Sequence, residues 1–376
     1  MTESHLEAQR KIDEMYMERA LSLAAKGRGT TSPNPMVGAV IVKDGRVIGE
    51  GYHVRAGEGH AEVNAFKNAV EDVTGATIYV TLEPCSHFGK TPPCADLIVS
   101  KKVARVVVGA LDPNPLVAGR GVKRIRDAGI EVVTGVLAEA SSELNEVFMK
   151  YIVNKEPFVL LKSAISLDGK IATASGESQW ISCQESRDEV HRLRHELTGI
   201  MVGIGTVLAD DPMLNCRIPG AKQPKRIVLD SSLRIPEDSK LVQSAKEYPL
   251  IVAALTGCDP EKKKRLEAKN VTVLEIESNE ERHVDLKKLM CILGGMDIDS
   301  ILLEGGGILA EAALQAGIVD KVQFYIAPMI IGGWDAKTSI EGKGAESLKD
   351  AWRLSTMNVE KIGCDLKITG RIDKGR

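Results

Sequence analysis

Ala76-Thr77-Ile78-Tyr79-Val80-Thr81-Leu82-Glu83-Pro84-Cys85 runs from an apolar stretch into a cysteine, and Ser86-His87-Phe88-Gly89-Lys90-Thr91-Pro92-Pro93-Cys94 leads to a second one. A short apolar run rich in β-branched and aromatic residues and closed by proline predicts a buried strand over Ala76 to Leu82. Right behind Cys94, Ala95 to Ser100 predicts a helix. Strand, loop and helix form the repeating unit of an α/β fold, and here the loop carries two thiols.

Upstream, His60-Ala61-Glu62 stands at a predicted helix start, with the helix running to about Val70. His60, Cys85 and Cys94 read together as a three-ligand zinc site. One imidazole and two thiolates suit zinc, and three protein ligands leave a fourth corner for water, whose pKa falls to about 7. A carboxylate two residues after the histidine can face that water without ligating the metal, so Glu62 is the candidate proton shuttle. A closed structural zinc would recruit a fourth Cys or His, and His87 is the candidate nearby.

Further out, Met15 to Lys26 predicts a first helix stopped by Gly27 and Gly29, and Ser32-Pro33-Asn34-Pro35 breaks the chain. Val37 to Val42 and Val47 to Tyr52 flank Asp44-Gly45, the signature of a tight hairpin. His53 follows. Downstream, strand Ala104 to Ala110, a helix around Val122 to Ala128 and strand Ile130 to Val136 continue the alternation, so a helix, sheet, helix sandwich is expected. Leu137 to Asn154 has amphipathic spacing and ends before Pro157, where the domain boundary is placed, giving domains 1–154 and 155–376.

The second domain begins on the apolar strand Phe158 to Ala164. Ile200 to Ile204, Arg226 to Asp230, Leu250 to Ala254, Val271 to Ile276 and Ser300 to Glu304 predict further strands, most of them separated by helices. Lys321 to Ile331, Ala351 to Lys361 and Asp365 to Ile372 follow one another without helices and predict an antiparallel edge. Leu302-Leu303-Glu304-Gly305-Gly306-Gly307 turns from strand to helix through glycines, which lets a phosphate approach backbone N–H groups or merely permits tight packing.

A chain of 376 residues with 43% hydrophobic and 27% charged residues has material for two cores. Its net charge of -3 gives no basic footprint, so bulk nucleic acid is not an expected partner and a small molecule is. Seven cysteines lack the dense spacing of a secreted disulfide scaffold. Met1 to Arg10 has no apolar signal core and no later run is long enough to span a bilayer, so the expected location is the cytoplasm with no membrane partner. A homo-oligomer is expected.

The His-x-Glu and Pro-Cys pattern is that of the zinc deaminases, whose thiols are usually two residues apart. Eight residues separate them here, and the Glu83 to Cys94 loop closely resembles the pyrimidine deaminase domain of bifunctional riboflavin-biosynthesis deaminase/reductases. Ser163 to Ala172, Ser178-Gln179-Trp180-Ile181 and Gly205 to Pro212 resemble the reductase domain of the same family. The resemblance implies an N-terminal cytidine-deaminase-like three-layer α/β/α domain and a C-terminal dihydrofolate-reductase-like α/β domain. It implies Zn2+ and NADPH as cofactors and phosphorylated pyrimidines as substrates. Asn34, His53, Lys90 and Asn114 would surround the pyrimidine and its phosphate. Ala164, Trp180, Thr206, Asp210, Ser231, Gly306 and Gly307 would contact NADPH. Ser178, Arg194, Leu214, Arg217 and Glu304 would face the second substrate, with Lys162 beside them. Two alternatives are a nucleobase or transfer-RNA deaminase with a non-catalytic second domain, and a zinc-stabilised ligand sensor.

Overall fold

Thr77–Leu82 is the middle strand of a five-stranded sheet in a computed structural model that describes residues 3–87, 92–114 and 117–375. The chain divides into two units, Met1–Asn154 and Lys155–Arg376. In the first unit the elements run α1 (Glu3–Ala24), β1 (Gly38–Lys43), β2 (Arg46–Tyr52), α2 (Ala61–Lys67), β3 (Thr77–Leu82), α3 (Cys94–Ser100), β4 (Arg105–Ala110), α4 (Arg120–Asp127), β5 (Glu131–Thr134), α5 (Ala138–Leu144) and α6 (Glu146–Asn154). The sheet order is β2-β1-β3-β4-β5, with β1 antiparallel to both neighbours and β3, β4 and β5 parallel.

The period of two along each strand sorts side chains onto two faces. Val40, Val42, Tyr79 and Val107 pack under Tyr16, Met17 and Ala20 of α1. Ala39, Ile41, Ile78, Val80, Val106 and Val108 pack instead against α2, α3 and α4 through Ala61, Ala65, Ala95, Ile98, Val122 and Ile125. The three-layer expectation thus has a core on each side of the sheet. At Gly51 a Cβ would lie 2.3 Å from Ala65 N and 2.6 Å from Ala61 O. Its absence lets α2 press onto β2, which fixes where His60 emerges.

Two helices depart from their expected bounds. α1 begins at Glu3, well before Met15, because its first turns are exposed and charged. The ion pairs Lys11–Glu7 (3.0 Å) and Arg10–Glu14 (2.9 Å) support them instead of an apolar face. The Leu137 to Asn154 stretch is two helices broken at Asn145, whose side chain leaves the helical pattern to bind the backbone of Met36.

The second unit runs β6 (Phe158–Ser166), α7 (Gln184–Glu196), β7 (Gly199–Gly203), α8 (Ile204–Asp210), β8 (Lys225–Leu229), α9 (Lys240–Gln243), β9 (Leu250–Leu255) and α10 (Pro260–Ala268). It continues with β10 (Val271–Ile276), α11 (Leu286–Gly295), β11 (Ser300–Glu304), α12 (Gly307–Gln315), β12 (Lys321–Ala327), β13 (Leu354–Ile362) and β14 (Asp365–Ile372). The nine-stranded order is β10-β9-β8-β7-β11-β6-β12-β14-β13. Strands β10 through β12 pair in parallel, and β14 and β13 close one edge antiparallel. Strands covered on both faces carry near-continuous apolar runs, as in Leu302-Leu303 and Ile227-Val228, all fully buried.

Ile204, expected as the end of a strand, is the first residue of α8. β12 stops at Ala327 instead of Ile331, because the next residues turn away to Asp168, whose carboxylate accepts from Ile331 N (3.0 Å) and Gly332 N (2.7 Å).

Candidate active sites

His60 is the N-cap of α2 and Cys94 the first residue of α3, so the positive ends of two helices meet beside the loop that follows β3. There His60 Nδ1 lies 3.3 Å from Cys94 Sγ and 3.6 Å from Cys85 Sγ. One donor atom from each of the three residues falls within 4.8 Å of the others, which suits a single ion. The Cys94 backbone N–H also donates to Cys85 Sγ at 3.3 Å. The Cys94 thiol, that N–H and His60 hold the Cys85 thiol well below its ordinary value, while sharing the proton pushes Cys94 up. Two thiols that share a proton in this way are a donor set a divalent cation would complete, and the residues fit zinc.

Glu62, on the first turn of α2, is buried, and that burial pushes its carboxyl above the ordinary range. His53 lies edge-on to His60, with ring centroids 5.6 Å apart. Its Nδ1 is 3.1 Å from Gly59 O, and Asn34 Nδ2 is 3.3 Å from its Nε2. With Nδ1–H donating to the carbonyl, Nε2 is left to accept from Asn34. Burial, with His60 nearby, holds His53 below the ordinary imidazole value, so the ring is neutral at pH 7. The structure therefore brings His60, Glu62, Cys85, Cys94, His53 and Asn34 to one place. Asn114 sits half-buried in the turn after β4, where its N–H donates to Asp112 Oδ1 (2.8 Å). Lys90 lies outside the described residues.

Three polar side chains that the sequence reading did not single out, Glu83 and Asn145 buried and Asn64 half-buried, hold this arrangement. Glu83, next to Pro84-Cys85, accepts from the N–H groups of Asp112 (3.3 Å), Gly119 (2.9 Å), Gly121 (3.0 Å) and Val122 (3.2 Å). It ties the thiol loop to the start of α4 and to the turn bearing Asn114. Asn145 clamps Met36 through N–H to Oδ1 (2.8 Å) and Nδ2 to carbonyl (2.9 Å), fixing the segment after Asn34. Asn64 donates to Tyr52 O (2.8 Å) and Gly59 O (3.1 Å), closing the loop between His53 and His60. Their partners are backbone groups distant in sequence, so no local signal marks them.

In the second unit, parallel pairing places the carboxyl ends of β6, β7, β8 and β11 along one edge, where open α/β sheets bind ligands. Glu304 pairs in register with Lys162 there. Arg194, from the last turn of α7, reaches Glu304 Oε2 at 2.7 Å and Asn215 O at 3.1 Å, while Lys162 Nζ lies 3.9 Å from Glu304 Oε1. Burial raises the Glu304 carboxyl, but Arg194 and Lys162 together outweigh it and hold the group below the ordinary range. Burial lowers Lys162 despite Glu304. Among the described residues, Glu304 Oε1 and Arg194 Nε have no hydrogen-bond partner, so this cluster presents unsatisfied polar atoms at a strand end. A polar ligand is the natural complement.

Of the other residues expected to face the substrate, Leu214 is buried at positive φ, Ser178 is half-buried, and Arg217 is exposed. Arg194 is engaged with Glu304, so of the two arginines expected to face the substrate Arg217 has the more open side chain. Trp180 is 61% exposed under the Arg187 guanidinium (4.7 Å), so it is no core aromatic. Ala164 is half-buried on β6, and Thr206 and Asp210 lie on α8, half-buried and exposed. Gly306 has open space where a Cβ would stand, whereas at Gly307 it would meet Thr338 O at 2.6 Å. Of the turn glycines, Gly306 leaves room for a ligand and Gly307 is required by packing. Asp230 is fully buried, its Oδ2 accepting from Ile235 N at 2.6 Å, and Ser231 follows it at the end of β8. The open space at Gly306, at the start of α12, fits the close approach of a nucleotide cofactor.

Fold and sites together define a two-unit enzyme, a zinc-dependent deaminase followed by a reductase. Residues 10–110 match the model of the cytidine and deoxycytidylate deaminase zinc-binding region, and residues 157–368 match the RibD C-terminal domain. The riboflavin biosynthesis protein RibD of Actinobacillus pleuropneumoniae is 51% identical over 351 residues, 93% of each chain. That of Escherichia coli (strain K12) is 45% identical, covering 94% of this chain and 98% of its own. Among solved structures, Acinetobacter baumannii RibD, form 1, superposes with TM-score 0.86 at 38% identity, covering 97% of this chain and all, 100%, of that one. The diaminohydroxyphosphoribosylaminopyrimidine deaminase/5-amino-6-(5-phosphoribosylamino)uracil reductase of Thermotoga maritima does so with TM-score 0.84 at 36% identity, over 97% and 100% of the two chains. The chain belongs to the RibD family of bifunctional riboflavin biosynthesis enzymes.

Proposed function

We propose that residues 1–154 remove the 2-amino group of diaminohydroxyphosphoribosylaminopyrimidine by hydrolysis, and that residues 155–376 then reduce the ribosyl group of the resulting uracil to ribityl with NADPH. The observation that carries the first step is the convergence of His60, Cys85 and Cys94 with a buried Glu62 that is not in the donor set. These three residues would hold zinc, which when bound supplies a water activated at neutral pH. With that ion bound, Glu62 would take a proton from the activated water and pass it to the leaving amine. Neutral His53, held by Gly59 O, and Asn34 orient the pyrimidine by hydrogen bonds. Lys90 and Asn114 are assigned to the phosphate end of the substrate.

For the second step, NADPH supplies the hydride that reaches the anomeric carbon. Ala164, Trp180, Thr206, Asp210, Ser231, Gly306 and Gly307 are assigned to that cofactor. Ser178, Leu214, Arg217 and the Lys162–Glu304–Arg194 cluster are assigned to the sugar and its phosphate. Lys162, lowered by burial and with an ammonium to donate, is assigned to assist proton transfer as the sugar opens. The alternative of a deaminase with an inert second domain is disfavoured by the unsatisfied Glu304 and Arg194 atoms at the strand end.

Preference for NADPH over NADH follows from the end of β8. A lone acid there would accept a ribose hydroxyl and repel a phosphate, but the Asp230 carboxylate is turned inward to Ile235 N. Ser231→Asp should weaken NADPH far more than NADH in steady-state kinetics. Equal losses for both cofactors would put Ser231 away from the phosphate. Ammonia release coupled to NADPH oxidation, with the phosphoribosylated diaminopyrimidine as substrate, tests the function as a whole.

A further inference from the structure

A second cluster of metal-type donors lies in the reductase unit, at a point no step above uses. Cys183 is the N-cap of α7, and Cys364 and Asp365 lie in the turn and at the first position of β14. One donor atom from each of the three falls within 4.8 Å of the others, the same convergence that His60, Cys85 and Cys94 display. Two thiolates bound to one zinc at about 2.3 Å stand about 3.8 Å apart in a tetrahedron, so only small adjustments separate this arrangement from a ligand set.

The carboxylate is set up as a ligand by its surroundings. Asp365 is fully buried, and its Oδ2 accepts from the Cys183 N–H (2.9 Å) and the Ser186 hydroxyl (2.6 Å). These are the hydrogen bonds that orient a ligating carboxylate from behind. The other oxygen, Oδ1, lies 3.5 Å from the Cys364 thiol. The Cys183 thiol is 3.4 Å from both Ser186 Oγ and Ile362 O, weak sulfur hydrogen bonds. A Cβ on Gly363 would lie 2.8 Å from Cys183 Sγ and 2.6 Å from Glu185 Oε2, so only glycine fits the hairpin turn beside the thiol.

We propose that Cys183, Cys364 and Asp365 form a second metal site that takes a thiophilic divalent cation of the zinc type. Binding exchanges two thiol protons, released to solvent, for two metal–sulfur bonds, with no change of oxidation state. The ion joins the β13–β14 hairpin to the start of α7, directly after the segment bearing Ser178 and Trp180. Soft thiolates select zinc or cadmium over magnesium and calcium.

The full-length protein, reduced, loaded with zinc and freed of excess metal, should hold about two zinc ions per chain, one for each donor cluster. Cys364→Ala should hold about half as much and keep ammonia release, because the deaminase donors are untouched; Cys85→Ala should also hold half but lose ammonia release. Cadmium added to the metal-free wild type should give a thiolate charge-transfer absorption that Cys364→Ala reduces and Cys364→Ala with Cys183→Ala reduces no further. A wild-type content equal to that of Cys364→Ala overturns the second site and leaves the deaminase assignment standing. So does a disulfide between Cys183 and Cys364 that persists under the reducing loading conditions.

Discussion

Glu62→Gln should lower the rate of ammonia release by about two to four orders of magnitude, the usual contribution of a positioned general acid–base group. Glutamine keeps the size and the hydrogen-bonding reach of the side chain but cannot carry a proton between water and leaving amine. Glu62 is buried on the first turn of α2, two residues from His60, and stands outside the set of donors that converge on one point. Zinc content should therefore stay at the wild-type level, and reduction of the already deaminated substrate should be unchanged. A variant that loses zinc would make Glu62 a ligand, and one that keeps near-normal ammonia release would make it a bystander.

Arg194→Leu should damage the second unit both in stability and in chemistry. The guanidinium meets Glu304 at 2.7 Å with the two side chains only 15% and 13% exposed, and removing it leaves the carboxylate with the more distant Lys162 and His191. Breaking such a pair by deleting one partner costs about 3 to 5 kcal/mol. The pH dependence has a definite sign. In the wild type Glu304 is held below the ordinary carboxylate range, so its contribution to stability is present above the unfolded value and is lost as pH falls through the folded one. Without Arg194 burial is opposed by one cation fewer, the folded pKa rises, and the variant's deficit in Tm should be larger at neutral than at acidic pH. NADPH oxidation should fall in kcat/KM, while ammonia release by the other unit persists. A Tm deficit independent of pH would mean that Arg194 matters for packing and not for the charge on Glu304.

The parts of the fold that could be read in advance are those whose determinants are local. The apolar run into Cys85, the Asp44-Gly45 turn and the strand-glycine-helix passage at Glu304 each contain their own start and stop. The zinc donors were legible because metal chemistry restricts residue types so sharply that His60, Cys85 and Cys94 stand out across their sequence gaps. What holds them was not. Glu83, Asn64 and Asn145 act on backbone groups 5 to 109 residues away, and such partners leave no local pattern. Likewise the Arg194–Glu304 pair spans 110 positions and exists only because parallel strands align β11 with β6 and α7 ends nearby. The first turns of α1 were missed for a different reason: charged pairs on an exposed helix give no apolar periodicity. The inward turn of Asp230 depends on Ile235, beyond a bend that residue types alone do not specify.

The most direct test follows ammonia and NADPH together in the full-length chain, with the phosphoribosylated diaminopyrimidine as substrate, before and after chelation. The zinc-loaded protein should release ammonia in step with NADPH oxidation. The chelated protein should do neither with that substrate, yet should oxidise NADPH when given the deaminated uracil. Ammonia release at the full rate after chelation, or NADPH oxidation on the diaminopyrimidine without ammonia, would contradict a zinc-dependent deaminase that feeds the reductase.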